Sequence, residues 1–118
     1  MIFFAKNEKG VPTWELVLTK EKTVTSRVNP MAVNKMFAVQ PGRGKKSVCR
    51  AKVVSCIKRL DHYNMALRQT DFDSFLWKQK EAELEGFESW DGLMRYFHEH
   101  TVNFMDLYRV EFTVRQER

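Results

Sequence analysis

Between Lys22 and Leu60 the chain carries no Asp or Glu, yet it holds ten of the twenty Lys and Arg residues. Twelve of the fifteen acids follow residue 60. The stretch reads KTVTSRVNPMAVNKMFAVQPGRGKKSVCRAKVVSCIKRL. It opens on a β-branched, hydroxyl-rich run, passes through a Gly/Pro-punctuated basic loop and closes on a long alternating segment. A third of the chain is therefore a basic, strand-forming platform. The formal net charge of +5 says little by itself. The segregation of charge says more, because a local patch sets the field that phosphates feel.

The pattern predicts strands over residues 2–5, 23–28, 36–40, 48–60 and 108–114. Residues 48–60 alternate most clearly. Cys49, Ala51, Val53, Ser55 and Ile57 form one mostly apolar face, and Arg50, Lys52 and Lys58 lie on the other. Asn29-Pro30 ends the strand before it, since the residue ahead of Pro is pushed out of the α region. Trp14, Val17 and Leu18 predict a short helix, capped at Thr13 or at Val11. Residues 61–71 read as irregular. From Phe72 the period is helical, with Phe72, Phe75, Leu76, Gln79 and Ala82 on one face and Gly86 as the stop. Ser89 caps a second helix whose inner face is Trp90, Leu93, Tyr96, Phe97 and His100. The expected core is Trp14, Leu18, Val53, Ile57, Phe75, Leu93, Phe97, Val110 and Phe112.

The 118 residues suffice for a single domain spanning 1–118. Five to six short strands with two to three helices predict an α+β fold. A small mixed β-barrel, closed or nearly so, fits that pattern because closure removes exposed strand edges. Cys49 and Cys56 lie seven apart on one expected strand. That places them on opposite faces, about 23 Å apart, too far to pair. They read as reduced packing residues in a reducing compartment. The apolar part of MIFFAKNEKG is too short for a signal peptide or a membrane span. A cytoplasmic protein with no membrane partner is expected, either a monomer or a weak dimer. No zinc-like spacing occurs, and His62, His98 and His100 form no ligand pattern, so neither metal nor cofactor is expected.

Lys22, Thr25 and Arg27 are the first residues with chemistry. Thr25 and Arg27 share a strand face, and a Lys beside a Thr hydroxyl can serve as a base or a charge clamp. The plainer alternative is a solvated strand edge. Arg43, Lys45, Lys46, Arg50, Lys52, Lys58 and Arg59 form the basic group. It reads as a polyanion surface or as a solubilising one balanced by the acidic helices. Among the tryptophans, Trp77 lies off its helix stripe and is the candidate for an exposed ring on which a base could stack.

KTVTSR, FAVQPGRGK, EGFESWDGLMRYF and the closing YRVEF resemble the ASCH domain, a branch of the PUA-like superfamily. The family motif is GxKxxTxR. Lys22, Thr25 and Arg27 match its Lys, Thr and Arg, while Lys20 stands where Gly is expected. The resemblance spans nearly the whole chain and implies a PUA-like barrel with a cleft lined by the motif. It implies RNA or a modified nucleoside or nucleotide as partner. One bacterial branch of similar size consists of N4-acetylcytidine amidohydrolases. By likeness to it, Lys22, Thr25 and Glu85 would be the catalytic set. Two readings follow: a module binding RNA or a nucleotide, or a hydrolase (amidohydrolase or metal-independent ribonuclease) using the same cleft. A third is an interaction protein whose basic face meets an acidic partner.

Overall fold

The computed structural model describes residues 1–115. Its elements are α1 (Thr13–Leu18), β1 (Val24–Arg27), β2 (Met36–Val39), β3 (Cys49–Lys58), α2 (Arg59–Leu67), α3 (Ser74–Leu84), α4 (Trp90–Glu99), a 3-10 turn (Phe104–Asp106) and β4 (Tyr108–Arg115). The fold is α+β, with one four-stranded antiparallel sheet among the described residues, in the order β1-β4-β3-β2. The five to six strands of the sequence reading are thus four. The first expected strand is reduced to a single parallel bridge, Ile2 to Gln40, because the chain turns away again at the Lys6–Pro12 bridge. No helix among the described residues is long and apolar enough to cross a membrane.

One sheet face carries the main core. Phe3, Phe37 and Phe112 pack ring to ring at 5.6–6.5 Å between centroids. Val17, Val39, Ala51, Val53 and Val110 complete it. A second cluster, Ala82, Phe87, Leu93 and Phe104, joins α3, α4 and the 3-10 turn. Val53, Leu93, Val110 and Phe112 are buried as expected. Trp14, Ile57 and Phe97 are half-buried, and Leu18 is exposed. The inner face of α1 is Thr13, Leu16 and Val17, one residue out of step with the expected stripe, and its N-cap is Pro12.

A β-bulge between Val53 and Ser55 changes the phase of β3. One extra residue moves everything after it to the other face. Cys56 therefore lies opposite Val110 and packs on the same core as Cys49, not on the opposite face. Its Sγ accepts a hydrogen bond from the Met31 N–H at 3.4 Å, and neither cysteine forms a disulfide. The bulge also splits the expected basic face. Arg50 and Lys52 stay on the second face, while Lys58 joins Tyr108 and Arg27 in one row on the first.

Residues 59–67 form α2, where the sequence suggested the last two residues of a strand and irregular chain from 61. Its start lacks the usual signal: Lys58 is the N-cap and gives no side-chain hydrogen bond. Instead the Arg59 N–H donates to the Leu107 carbonyl at 2.8 Å. In α3 the inward face is Glu81 and Ala82, followed by Glu85 at the C-cap. Phe75, expected in the core, and Leu76, expected on the same helix face, are 77% and 63% exposed. Ionic contacts described below orient this helix more strongly than its apolar stripe does. Ser89 caps α4 as expected, accepting from the Gly92 N–H at 3.1 Å.

Gly86 ends α3 at φ +91°, and a Cβ there would sit 3.0 Å from Leu16 Cδ1. Gly86→Ala is expected to cost about 1–3 kcal/mol from this strained conformation, whereas Phe75→Ser should change stability by no more than about 0.5 kcal/mol. Urea unfolding of both variants checks the contrast.

Candidate functional site

The turn from α1 into β1 sets the site. Lys20, at the position where the resemblance expects Gly, has φ +66°. That is the left-handed region glycine enters without steric cost. The Lys22 N–H then donates to the Leu16 carbonyl at 3.0 Å, which turns the side chain inward. Lys22 is 3% exposed. Its Nζ donates to the Val24 carbonyl at 2.7 Å, the Glu85 carbonyl at 2.7 Å and Glu85 Oε1 at 3.2 Å. An ammonium has three N–H donors, and all three are used.

Glu85 is reached across 63 positions of sequence. Its other oxygen, Oε2, accepts from Ser26 Oγ and from Arg59 Nη2, each at 2.5 Å. Arg59 is fully buried, with its guanidinium over the Phe104 ring at 4.5 Å. Its Nε donates to Ser26 Oγ at 3.0 Å and its Nη1 to Glu81 Oε1 at 2.5 Å. Arg109 donates to both Glu81 oxygens, Nε to Oε1 at 2.7 Å and Nη2 to Oε2 at 3.2 Å. The chain of charges thus runs Lys22, Glu85, Arg59, Glu81, Arg109. Arg59 belongs to this interior and not to the basic surface where the sequence reading put it.

Burial favours the neutral form of the Glu85 carboxyl, but the charges of Lys22 and Arg59 and the hydrogen bonds from Ser26 and Lys22 outweigh it. The group is held below the usual carboxylate range. For Glu81, burial is likewise overcome by Arg109 and Arg59. Lys22 is pushed down to about 8 by burial, against the pull of Glu85 and with the help of Arg27 and Arg59.

Thr25 and Arg27 project together, as the strand pattern requires. Arg27 Nε donates to Thr25 Oγ1 at 3.2 Å, and Nη2 donates to the Ile2 carbonyl at 3.0 Å. The guanidinium stacks on the Phe3 ring at 4.8 Å. Lys22, Thr25, Ser26, Arg27, Glu85 and Tyr96 line one cleft of about 100 Å³ at the β1 edge of the sheet. Phe3 and Phe97 add apolar walls. Such a cleft offers cationic donors, a carboxylate, hydroxyls and aromatic surface, the groups that grip a polar planar ligand. Among the described residues no three His, Cys, Asp or Glu side chains are grouped to hold a metal.

The structure brings together Lys22, Thr25, Arg27 and Glu85. It leaves Arg43, Lys45, Lys46, Arg50 and Lys52 outside the cleft lining. Lys58 lies two strands from Arg27 in the same row, about 10 Å away by strand spacing. Ser26, Glu81 and Arg109 were not among the candidate residues, and Tyr96 was expected only as an inward residue of its helix. One signal was present: Glu81 and Glu85 are four apart on a helix, a like-charge pair that needs cations nearby. No protein-family model matches the chain, and neither do the curated proteins or the solved structures compared with it.

Three outcomes are expected. Lys20→Gly should raise stability by about 1 kcal/mol by relieving the left-handed conformation. Arg59→Met should cost about 3–5 kcal/mol, since it leaves two buried carboxylates short of a partner. The lowered Lys22 pKa means the unfolded chain binds more protons between pH 8 and 10.5. Stability should therefore rise with pH across that window in the wild type and stay flatter in Lys22→Met. The Glu81 and Glu85 contributions have the opposite limit: they are present above the unfolded carboxylate range and are lost as pH falls through the folded values. Chemical unfolding at a series of pH values reads all three.

Proposed function

We propose that this chain is a single ASCH domain of the PUA-like superfamily, its sheet part of a nearly closed barrel, that binds RNA or a nucleotide. The observation that carries the reading is the meeting of Lys22, Thr25, Arg27 and Glu85 in one cleft. Three come from one short motif and the fourth from the distant end of α3. The left-handed Lys20 fits the motif's glycine position. Arg27 would hold an anionic or carbonyl group, Lys22 would join it by turning one N–H away from the Glu85 carboxylate, Thr25 would add a hydroxyl, and Phe3, Tyr96 and Phe97 would flank the base. The basic segment from Arg43 to Arg59, less the buried Arg59 itself, would meet the phosphates of a longer strand. Lys58 is the member on the sheet face of Thr25 and Arg27. Two reduced cysteines suit a cytoplasmic setting.

A second reading is hydrolysis in the same cleft, of N4-acetylcytidine or of RNA without metal. The depressed Lys22 pKa favours it, because a fraction of the amine is neutral near pH 8 and able to accept a proton. Glu85 has both oxygens engaged, so it would shuttle a proton only after releasing Ser26 or Lys22.

Calorimetric titration with cytidine, N4-acetylcytidine and a short single-stranded RNA tests the binding reading. Lys22→Ala and Arg27→Ala should each weaken binding by about 10- to 100-fold, the worth of a hydrogen bond to a charged group. RNA affinity should fall with salt, more gently when Arg50 and Lys52 are neutralised. Unchanged affinity in both cleft variants would overturn the cleft assignment. Acetate release from N4-acetylcytidine, lost in Lys22→Ala and Glu85→Ala, would make the hydrolase the leading reading.

A further inference from the structure

The Lys22 cleft does not end at Arg27. A second chamber of about 210 Å³ opens beside it, against about 100 Å³ for the cleft. Ser26, Arg27, Tyr96 and Phe97 line both, so the two meet along these side chains. The end of α4 builds one wall of the chamber. The Thr101 N–H donates to the His98 carbonyl at 3.0 Å and the Val102 N–H to the Phe97 carbonyl at 3.1 Å. Thr101 takes φ +52° to allow it. This paired closure of a helix end turns the chain back on its own last turn. It brings Val102 to the chamber with Phe97 and His100, where Val28 and Leu107 complete the lining.

Arg27 stands at the junction with bonding capacity unspent. A guanidinium has five N–H donors. Nε and one Nη2 hydrogen are used, on Thr25 Oγ1 and the Ile2 carbonyl. Its charge makes no ion pair among the described residues, because Glu85, the carboxylate of the same cleft, is spent on Lys22, Arg59 and Ser26. The Tyr96 hydroxyl is close enough to Arg27 to feel its charge, and it too bonds nothing among the described residues. Neither group is sealed from solvent, since among the described residues His62 Nδ1 alone is a fully buried polar side-chain atom without a partner. A planar cation with three free N–H groups near a free hydroxyl is a site for phosphate oxygens.

The chamber itself is largely apolar. Val28, Phe97, Val102 and Leu107 supply its walls, and Ser26 Oγ is already bonded to Glu85 and Arg59. His100 Nδ1 donates to the Tyr96 carbonyl at 2.8 Å, and its ring lies against the Tyr96 ring at 4.3 Å between centroids. His100 is exposed, and Tyr96 is its only ring contact among the described residues, so its outer face is open. A ribose in this chamber would bury hydroxyls without partners, which is unfavourable. A nucleobase brings flat apolar faces that suit these walls, and histidine is among the rings on which bases stack. Leu107 leads into Tyr108, which pairs with both Arg27 and Lys58. Lys58, about 10 Å from Arg27 by strand spacing, continues the line of positive charge from the junction.

We propose that the cleft and this chamber together form a dinucleotide site: one base enters the cleft, Arg27 holds the phosphate between the two nucleotides, and the chamber takes the second base. The proposal rests on the nucleic-acid reading of the cleft and names its ligand class, a single strand rather than a free nucleoside.

Cytidylyl-cytidine and its two abasic counterparts, each lacking one of the bases, are the probes. All three carry the same phosphodiester, and both strand directions are covered. Affinity is measured by calorimetry, alongside the amide NMR signals of Thr25 for the cleft and of Val28 and Val102 for the chamber. The complete dinucleotide should bind roughly tenfold tighter than either abasic one, the worth of one stacked base, and should move Val28 and Val102 as well as Thr25. Val28 is 70% exposed, so Val28→Trp fills the chamber from its rim without opening the core and should remove that preference. Arg27→Ala should weaken the dinucleotide roughly tenfold more than it weakens cytidine, the loss of hydrogen bonds to a charged group. Equal affinity for complete and abasic dinucleotides, a preference that survives Val28→Trp, or equal losses on cytidine and dinucleotide in Arg27→Ala would each overturn the proposal. Movement at Thr25 with none at Val28 and Val102 would do so while leaving the cleft reading in place. No movement at Thr25 with any probe would end the cleft reading and this proposal together.

Discussion

The rest of the molecule depends on the buried alternation of charge Lys22, Glu85, Arg59, Glu81, Arg109. These five groups come from the entry to β1, the two ends of α3's inner face, the β3–α2 junction and β4. Removing an ion from water costs several kcal/mol unless partners meet it with good geometry. Here each carboxylate has at least two cationic donors. The arrangement leaves little freedom: if α3 rotated to bury Phe75 and Leu76, Glu81 and Glu85 would leave Arg59 and Arg109 behind. Two exposed apolar side chains cost less than two buried guanidinium groups without carboxylates. The same contacts carry the backbone of Glu85 to Lys22 Nζ, so what orients the helix also builds the cleft wall.

The strands were legible because their cause is local. Alternation and β-branched residues place β1, β2, β3 and β4 within a residue or two of where the structure has them. Ser89 and Gly86 act as helix cap and stop through chemistry a sequence displays. The bulge at Val54 is another matter. Nothing in VVSCIK marks which residue is the extra one, because Val54 and Ser55 both suit a strand. That single position reverses the face of Cys56, Ile57 and Lys58. The start of α2 was hidden for a related reason, since its first N–H is met by a backbone carbonyl from residue 107 rather than by a neighbouring cap.

At the site, the motif residues were readable as a group, and likeness to a known family pointed to Glu85 as their distant companion. The geometry explains why residue types alone could not rank the cations. Arg59 and Lys58 are neighbours in the same basic run, yet one is wholly buried between carboxylates and the other lies exposed. Their difference comes from the end of β3, where the first turn of α2 swings Arg59 under α3. Ser26 looked like an ordinary strand hydroxyl. Its role follows from its place beside the Glu85 carboxylate and the Arg59 guanidinium, which no spacing along β1 reveals.

The most direct measurement is an NMR titration of the Lys22 ammonium, followed through its side-chain nitrogen in the free protein and with cytidine or N4-acetylcytidine added. The account predicts a free-protein pKa of about 8, set by burial against the pull of Glu85, and a shift in that value when a nucleoside enters the cleft. A Lys22 that titrates at its ordinary 10.5 would contradict the electrostatics of the buried chain. A Lys22 titration that no nucleoside alters would contradict the cleft as the place where the ligand binds.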